Sequence, residues 1–240
     1  MKTKKQCLLK YIIYTMLFNR RKKHLYKQKI SMFENNNVVI PKDNIKNINI
    51  DINGKNNNII IKDSVKGLIN IYVFGDNNTV YIDDYIFAGK LSIEVGQNHK
   101  NFGPVHDCEV KIGKNTTIES AKLVIKNSGA KISIGENCMF AFNITLYHTD
   151  SHPVFDLDSH KIINKVKHMI IGDHVWIGAN TTILKNTQIA NDCIVGWASV
   201  VSGKFDKEHC AIAGNPGKIV KTSITWDSNG SKGYVQNEQN

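Results

Sequence analysis

The chain has 240 residues, 41% of them apolar, and a formal net charge of +10. That is enough apolar residue for a core, and too few long apolar runs for a polytopic membrane protein. The basic excess points to an anionic partner, and the five scattered cysteines, with no C-x-x-C pair, argue against a zinc knuckle, a redox dithiol or a disulfide framework.

Residues 1–37 open with an apolar run, Gln6 to Phe18, flanked by basic residues on both sides. It is shorter than the roughly 20 residues a spanning helix needs, and it lacks the small-x-small cleavage site of a signal peptide. Leu9, Ile12, Ile13, Met16 and Leu17 fall on one face of a helix. Two fates are expected for that face: a peripheral contact with an anionic membrane, or burial as a cap or oligomer contact.

Residues 38–206 carry a repeat. Isoleucine or valine recurs every sixth position at Ile171, Ile177, Ile183, Ile189, Val195 and Val201, and the fifth position of each unit (Val175, Thr181, Thr187, Cys193, Ser199) is small or β-branched. This is the hexapeptide signature of a parallel β-helix: one short strand per unit, the aliphatic residue inward, the small one turned into a tight corner. Ile112, Ile118 and Val124 keep the step upstream, and Ile134, Phe140 and Leu146 keep it in a shifted phase. Further back, Gly54, Gly75 and Gly96 stand 21 residues apart in Asn-rich stretches suited to corners. Between residues 147 and 168 the rhythm breaks in a polar loop with four of the nine histidines. Residues 207–240 form a Gly/Pro turn and a polar tail.

Three stretches carry a resemblance: "TDSHPVF" (149–155), "IIGDHVWIGANTTILKNTQI" (170–189) and "AIAGNPGKIVK" (211–221). They resemble the left-handed β-helix acyltransferases, and among them the bacterial capsule and polysialic acid O-acetyltransferases. The resemblance covers residues 110–226 well and the earlier coils weakly. It implies an all-β, left-handed parallel β-helix with an extruded catalytic loop, preceded here by a short N-terminal helical segment. It also implies a homotrimer in which the loop reaches over a neighbouring subunit.

By the family's H-P motif, His152 is the expected catalytic base, with Trp176 beside the acetyl group or acceptor. A hydroxyl is a weak nucleophile, and an imidazole with a pKa of about 6.5 is a competent base near neutrality. Asp150 is a candidate orienter of His152; His148, His160 and His168 lack the motif and are expected to be ordinary polar residues. The resemblance further implies acetyl-CoA as cosubstrate and no metal. Gly178, Ala179, Trp197 and Ala198 are expected along the pantetheine, and Lys185, Lys204, Lys218 and Lys221 near the phosphates. The acceptor implied is a bacterial surface glycan, anionic and sialic-acid-containing, met in the cytoplasm or at the inner membrane. Alternatives are a sugar N-acyltransferase of the same fold and a non-catalytic β-helix used for binding or scaffolding. A zinc carbonic anhydrase of this fold needs an H-x4-H pair, whereas His148 with His152 and His168 with His174 stand at other spacings, and no basic–aromatic motif suggests nucleic acid.

Overall fold

The computed structural model describes residues 34–41, 45–84, 89–97 and 103–228. The apolar face expected within residues 6–18 lies outside the described residues. No helix among them is long and apolar enough to cross a membrane.

The architecture is the expected all-β, left-handed parallel β-helix. Strands stack into three sheets. The first face holds eight strands, from Asn37–Val39 through Lys131–Ile134 and His168–Ile171 to Lys204–Phe205. The second holds six, from Thr117–Ile118 to Lys218–Thr222, and includes Met139–Phe140 and Trp176–Ile177. The third holds seven, from Ile48–Asn53 to Val200–Val201, and includes Leu68–Phe74, Lys90–Val95, Ser120–Ile125 and Ile144–His148. Every pairing is parallel except the last, where Lys218–Thr222 turns back on Cys210–Ala213.

The interior is one column of apolar side chains. All six hexad aliphatics, Ile171 to Val201, are buried, as are Ile112, Ile118, Ile134, Phe140 and Leu146. Each buried Ile or Leu removed from such a column costs about 2–5 kcal/mol in its Ala variant, because rigid neighbouring coils cannot collapse into the gap.

The corners explain the rest of the repeat. In five successive hexads the fourth residue has positive φ: His174, Asn180, Asn186, Asp192 and Ala198, at 52–61°. The fifth residue then turns inward, and Val175, Thr181, Thr187, Cys193 and Ser199 are all buried. The buried hydroxyls bond to backbone carbonyls: Thr181 and Ser199 both donate to Gly196 O, at 3.2 and 2.8 Å.

The N-terminal coils use asparagine at the same place. Asn56 and Asn77 hold the left-handed position, and Asn57 and Asn78 turn inward and stack. The backbone and side-chain nitrogens of Asn57 donate to Asn36 Oδ1 (2.8 and 2.9 Å), and those of Asn78 donate to Asn57 Oδ1 (2.9 and 3.0 Å). The ladder closes where Cys108 N–H donates to Asn78 Oδ1 at 3.0 Å. The 21-residue glycine spacing belongs to this ladder. A Cβ on Gly75 would lie 1.8 Å from the Val105 carbonyl oxygen, and φ there is +132°, so only glycine fits.

Candidate functional site

The loop leaves the helix after His148, at the end of a third-face strand, and rejoins it at His168 on the first face. It replaces one corner of one coil, so the stack above and below continues unbroken. Within it, residues 154–163 make a small hairpin, with Ile163 N–H donating to Val154 O and Asp156 N–H to Lys161 O, both at 2.9 Å.

His152 is exposed near the start of this loop, and the backbone there is fixed by Asn164. The Asn164 amide nitrogen donates to His152 O at 2.9 Å and to Asp150 Oδ2 at 2.7 Å, while its oxygen accepts from Val154 N–H at 2.8 Å. Asp150 is engaged from a second side by Lys185, whose ammonium lies 2.9 Å from the same carboxylate oxygen. Desolvation pushes the Asp150 carboxyl up, but the bonds from Lys185 and Asn164 outweigh it and hold its pKa below the usual carboxylate range. The Asp150 carboxylate, expected to orient His152, bonds to Asn164 and Lys185, and Lys185 lies against the loop.

His148 departs from its expected place on the surface. It points inward and is fully buried, and its Nε2 has no hydrogen-bond partner. Burial pushes its pKa down to about 4, with the Lys167 backbone opposing and the nearby His168 and Lys185 adding to the fall. His148 thus stays neutral near pH 7. Asn186 joins it to the far end of the loop: Asn186 N–H donates to His148 Nδ1 at 3.4 Å, its amide nitrogen donates to Lys165 O at 2.9 Å, and its oxygen accepts from Lys167 N–H at 2.6 Å. His148 and Asn186 clamp the two ends together. Neither this clamp nor the Asn164 brace has a sequence signal, because each joins residues across the interruption of the repeat.

Trp176 lies half-buried on the second face, in register with Met139 and Ile194. The chain after the last hairpin folds back beside it. Trp226 is buried, its Nε1–H donates to His174 O at 2.8 Å, and its ring stacks on the His174 imidazole at 4.2 Å. Trp176 and Trp226 ring centres are 6.1 Å apart. His174 Nδ1 lies 2.8 Å from Asp192 Oδ1. This pair has the look of a catalytic dyad, but both residues occupy the left-handed position of adjacent corners, 18 residues apart, and the contact is the corner stacking that Asn143 and Asn180 make on the neighbouring edge at 2.7 Å.

The residues expected along the coenzyme are distributed unevenly. Ala179 is fully buried, and a Cβ on Gly178 would lie 2.8 Å from Trp197 N, so these two pack one coil on the next. Trp197 is 61% exposed and meets Phe142 edge to face at 5.1 Å. Ala198 occupies the corner position that Asn143 and Asn180 hold in the coils before it, at φ 54°. A left-handed alanine costs about 1–2 kcal/mol, and in exchange no amide projects from that corner. Lys204 is exposed and pairs with Asp206 at 3.0 Å; Lys218 and Lys221 are exposed on the terminal hairpin. Among the described residues no group of three His, Cys, Asp or Glu is placed to hold a metal ion.

The family model for "Bacterial transferase hexapeptide (six repeats)" matches residues 168–203. A polysialic acid O-acetyltransferase of Escherichia coli O1:K1 / APEC is 37% identical over 118 residues, 49% of this chain and 38% of the relative. That of Neisseria meningitidis is 36% identical over 143 residues, 58% of this chain and 66% of the relative. The matched stretch is thus under two thirds of the length of either. In structure, the polySia-specific acetyltransferase NeuO superposes with a TM-score of 0.67 at 30% identity, covering 83% of this chain and 85% of NeuO. The polysialic acid O-acetyltransferase OatWY superposes at 0.63 and 33% identity, covering 80% and 87%. The similarity to these solved structures extends into the Asn-rich coils, well beyond the hexapeptide segment, and the chain belongs to the bacterial hexapeptide-repeat transferase family in company with the polysialic acid O-acetyltransferases.

Proposed function

We propose that the protein is an acetyl-CoA-dependent O-acetyltransferase that modifies a hydroxyl of a sialic-acid-containing bacterial surface glycan. The observation that carries the reading is His152: an exposed imidazole beside the motif proline, held on a loop whose backbone is braced by Asn164 and clamped at its root by His148 and Asn186. The kinship with two polysialic acid O-acetyltransferases supports the choice of reaction and acceptor.

In this reading His152 accepts the proton of the acceptor hydroxyl as its oxygen attacks the thioester carbon. A backbone N–H on a rigid coil donates to the developing oxyanion. The C–S bond then breaks, the acetyl group stays on the sugar oxygen, and His152 returns the proton to the departing thiolate. Acetyl-CoA supplies the activated acyl group. Trp176 forms a wall of the acyl site. The open corner at Ala198, the exposed ring of Trp197 and the lysines Lys218 and Lys221 suit an extended thioester ending in phosphates, with Lys204 a further candidate.

The edge that carries Trp197 and Ala198 differs from the edge that extrudes the loop, which fits a homotrimer in which each site is shared between neighbours. The protein would meet its acceptor in the cytoplasm or at the inner membrane, where the positive charge suits a polyanionic chain. The deciding experiment offers purified protein labelled acetyl-CoA with a panel of sialylated and neutral glycans. Label transferred to sialylated acceptors and released by mild base, which cleaves esters and spares amides, is expected. Transfer to an amino sugar as a base-stable amide would replace this reading with N-acylation. Hybrid trimers mixing His152→Ala subunits with subunits altered at Trp197 and Ala198 should regain activity that neither parent has; a fully active monomer would exclude the shared site.

A further inference from the structure

The early coils lie away from the loop and from the hexapeptide corners, yet their third face is cut by a groove of about 530 Å³. We infer that this groove binds an extended stretch of an anionic glycan, and that it holds the acceptor chain beside the loop. The inference rests on the reading of the protein as a glycan acetyltransferase.

The groove crosses four neighbouring strands, Leu68–Phe74, Lys90–Val95, Ser120–Ile125 and Ile144–His148. Parallel register fixes what lines it. Asn70 pairs with Ser92, Ser92 with Lys122, and Lys122 with Thr145, so four outward polar side chains form one straight row. At one rung per 4.7–4.9 Å the row spans roughly 14 Å. Lys90 and the half-exposed ring of Tyr72 stand beside it. Amide, hydroxyl and ammonium groups suit ring hydroxyls and carboxylates, and a tyrosine face suits the apolar side of a sugar ring. The one carboxylate in the lining, Glu94, is neutralised by Lys122 at 2.8 Å, so the groove is donor-rich with Lys90 as the charge in excess. A straight, regularly spaced row fits a repeating polymer better than a compact ligand.

The row also passes beside the loop. Its last strand, Ile144–His148, runs directly into the loop, and the outward Tyr147 on that strand places its hydroxyl 3.1 Å from Ser151 Oγ, one residue before His152. A chain lying over Asn70, Ser92 and Thr145 crosses the strands, and at Thr145 it passes about 7 Å, two residues along the strand, from Tyr147 at the root of the loop.

The test compares the protein with its Ser92→Trp and Lys90→Glu variants on a short sialic acid oligomer and on a long polymer. The native protein should prefer the polymer, and each variant should lose that preference through a KM for the polymer raised about tenfold. Equal KM values for the polymer in all three would overturn the inference. So would a change of oligomeric state by sedimentation in either variant, which would mark the face as a contact between copies. Binding of the polymer to His152→Ala protein separates this inference from the reading of the reaction. If no glycan is acetylated but polymer binding persists and is weakened by Ser92→Trp, the groove stands without the reaction; binding that ignores Ser92→Trp removes the groove. Thermal melting of both variants verifies that they are folded, and Lys90→Glu changes only an exposed side chain.

Discussion

At the corner before Asn58, Asn57 hangs its side chain between Asn36 and Asn78 and bonds to both; at the corner before Val200, Ser199 turns inward, donates to Gly196 O of its own coil and accepts from Gly214 N–H of the next. Both corners begin with a residue in the left-handed conformation, Asn56 and Ala198. The N-terminal corners thus link successive coils side chain to side chain through an amide ladder, while the C-terminal hydroxyls bond to backbone groups, Thr181 to Gly196 O and Thr187 to Val201 O of the next coil. A ladder needs an amide at every rung and leaves little freedom to vary. Corners without that ladder tolerate Val, Thr, Cys or Ser inside and Asn, Asp, His or Ala outside. The chemistry is proposed for the second region, and the loop is inserted where the ladder has given way to Cys108 and Ala130 on the same edge.

That division can be broken by experiment. The largest effect is expected at His152: its Ala variant should lower turnover by about 100-fold or more, with the melting temperature held to within a few degrees. Turnover equal to the parent's would remove the base from the loop. Next, Asn78→Leu deprives Cys108 N–H and the Val105 carbonyl of their side-chain partner. A loss of about 3 kcal/mol in chemical denaturation is expected, with kcat preserved in the folded fraction. Ser199→Ala, the matched change in the corners without the ladder, removes the hydroxyl shared by Gly196 O and Gly214 N–H and should cost about 1 kcal/mol. If the two variants lose equal stability, the ladder has no special weight.

His148 offers a pH test of the clamp. Its folded pKa, about 4, lies below the ordinary value of 6.5, so the unfolded chain binds the extra proton first. Stability from keeping His148 neutral is complete above about pH 6.5 and lost progressively as pH falls toward 4, amounting to about 3 kcal/mol. A His148→Gln variant should show a flatter fall in melting temperature over that window; an unchanged slope would place the titration elsewhere. The smallest effect is expected at Asn164, a positioning residue. Its Ala variant should cut kcat about tenfold while leaving the pH at which activity is half-maximal in place, since His152 remains the base, and Asn164→Asp, which loses both donors and sets a carboxylate against Asp150, should not restore it. A shift in that pH instead would mean that Asn164 acts on the imidazole itself.

The repeat was legible because it is one-dimensional. A strand that must put an aliphatic side chain inward every six residues writes that demand into the chain, and Ile171 through Val201 obey it in both sequence and structure. The glycines at 54, 75 and 96 marked coils for the same reason, although their purpose, clearance for a backbone carbonyl of the neighbouring coil, emerged only with the structure. The loop was legible as an interruption, and His152 through its motif.

What tertiary structure alone decided are contacts between coils, where no period sets the partner. Lys185 binds Asp150 across the loop; Asn186 reaches His148 38 residues away; Trp226 reaches His174 52 residues away. His148 looks like its loop neighbours in the sequence, yet the end of the preceding strand turns it into the core. Inward and outward alternate along a strand, so burial is fixed by register and by where the strand stops, and a hexapeptide count that breaks at residue 147 cannot supply either.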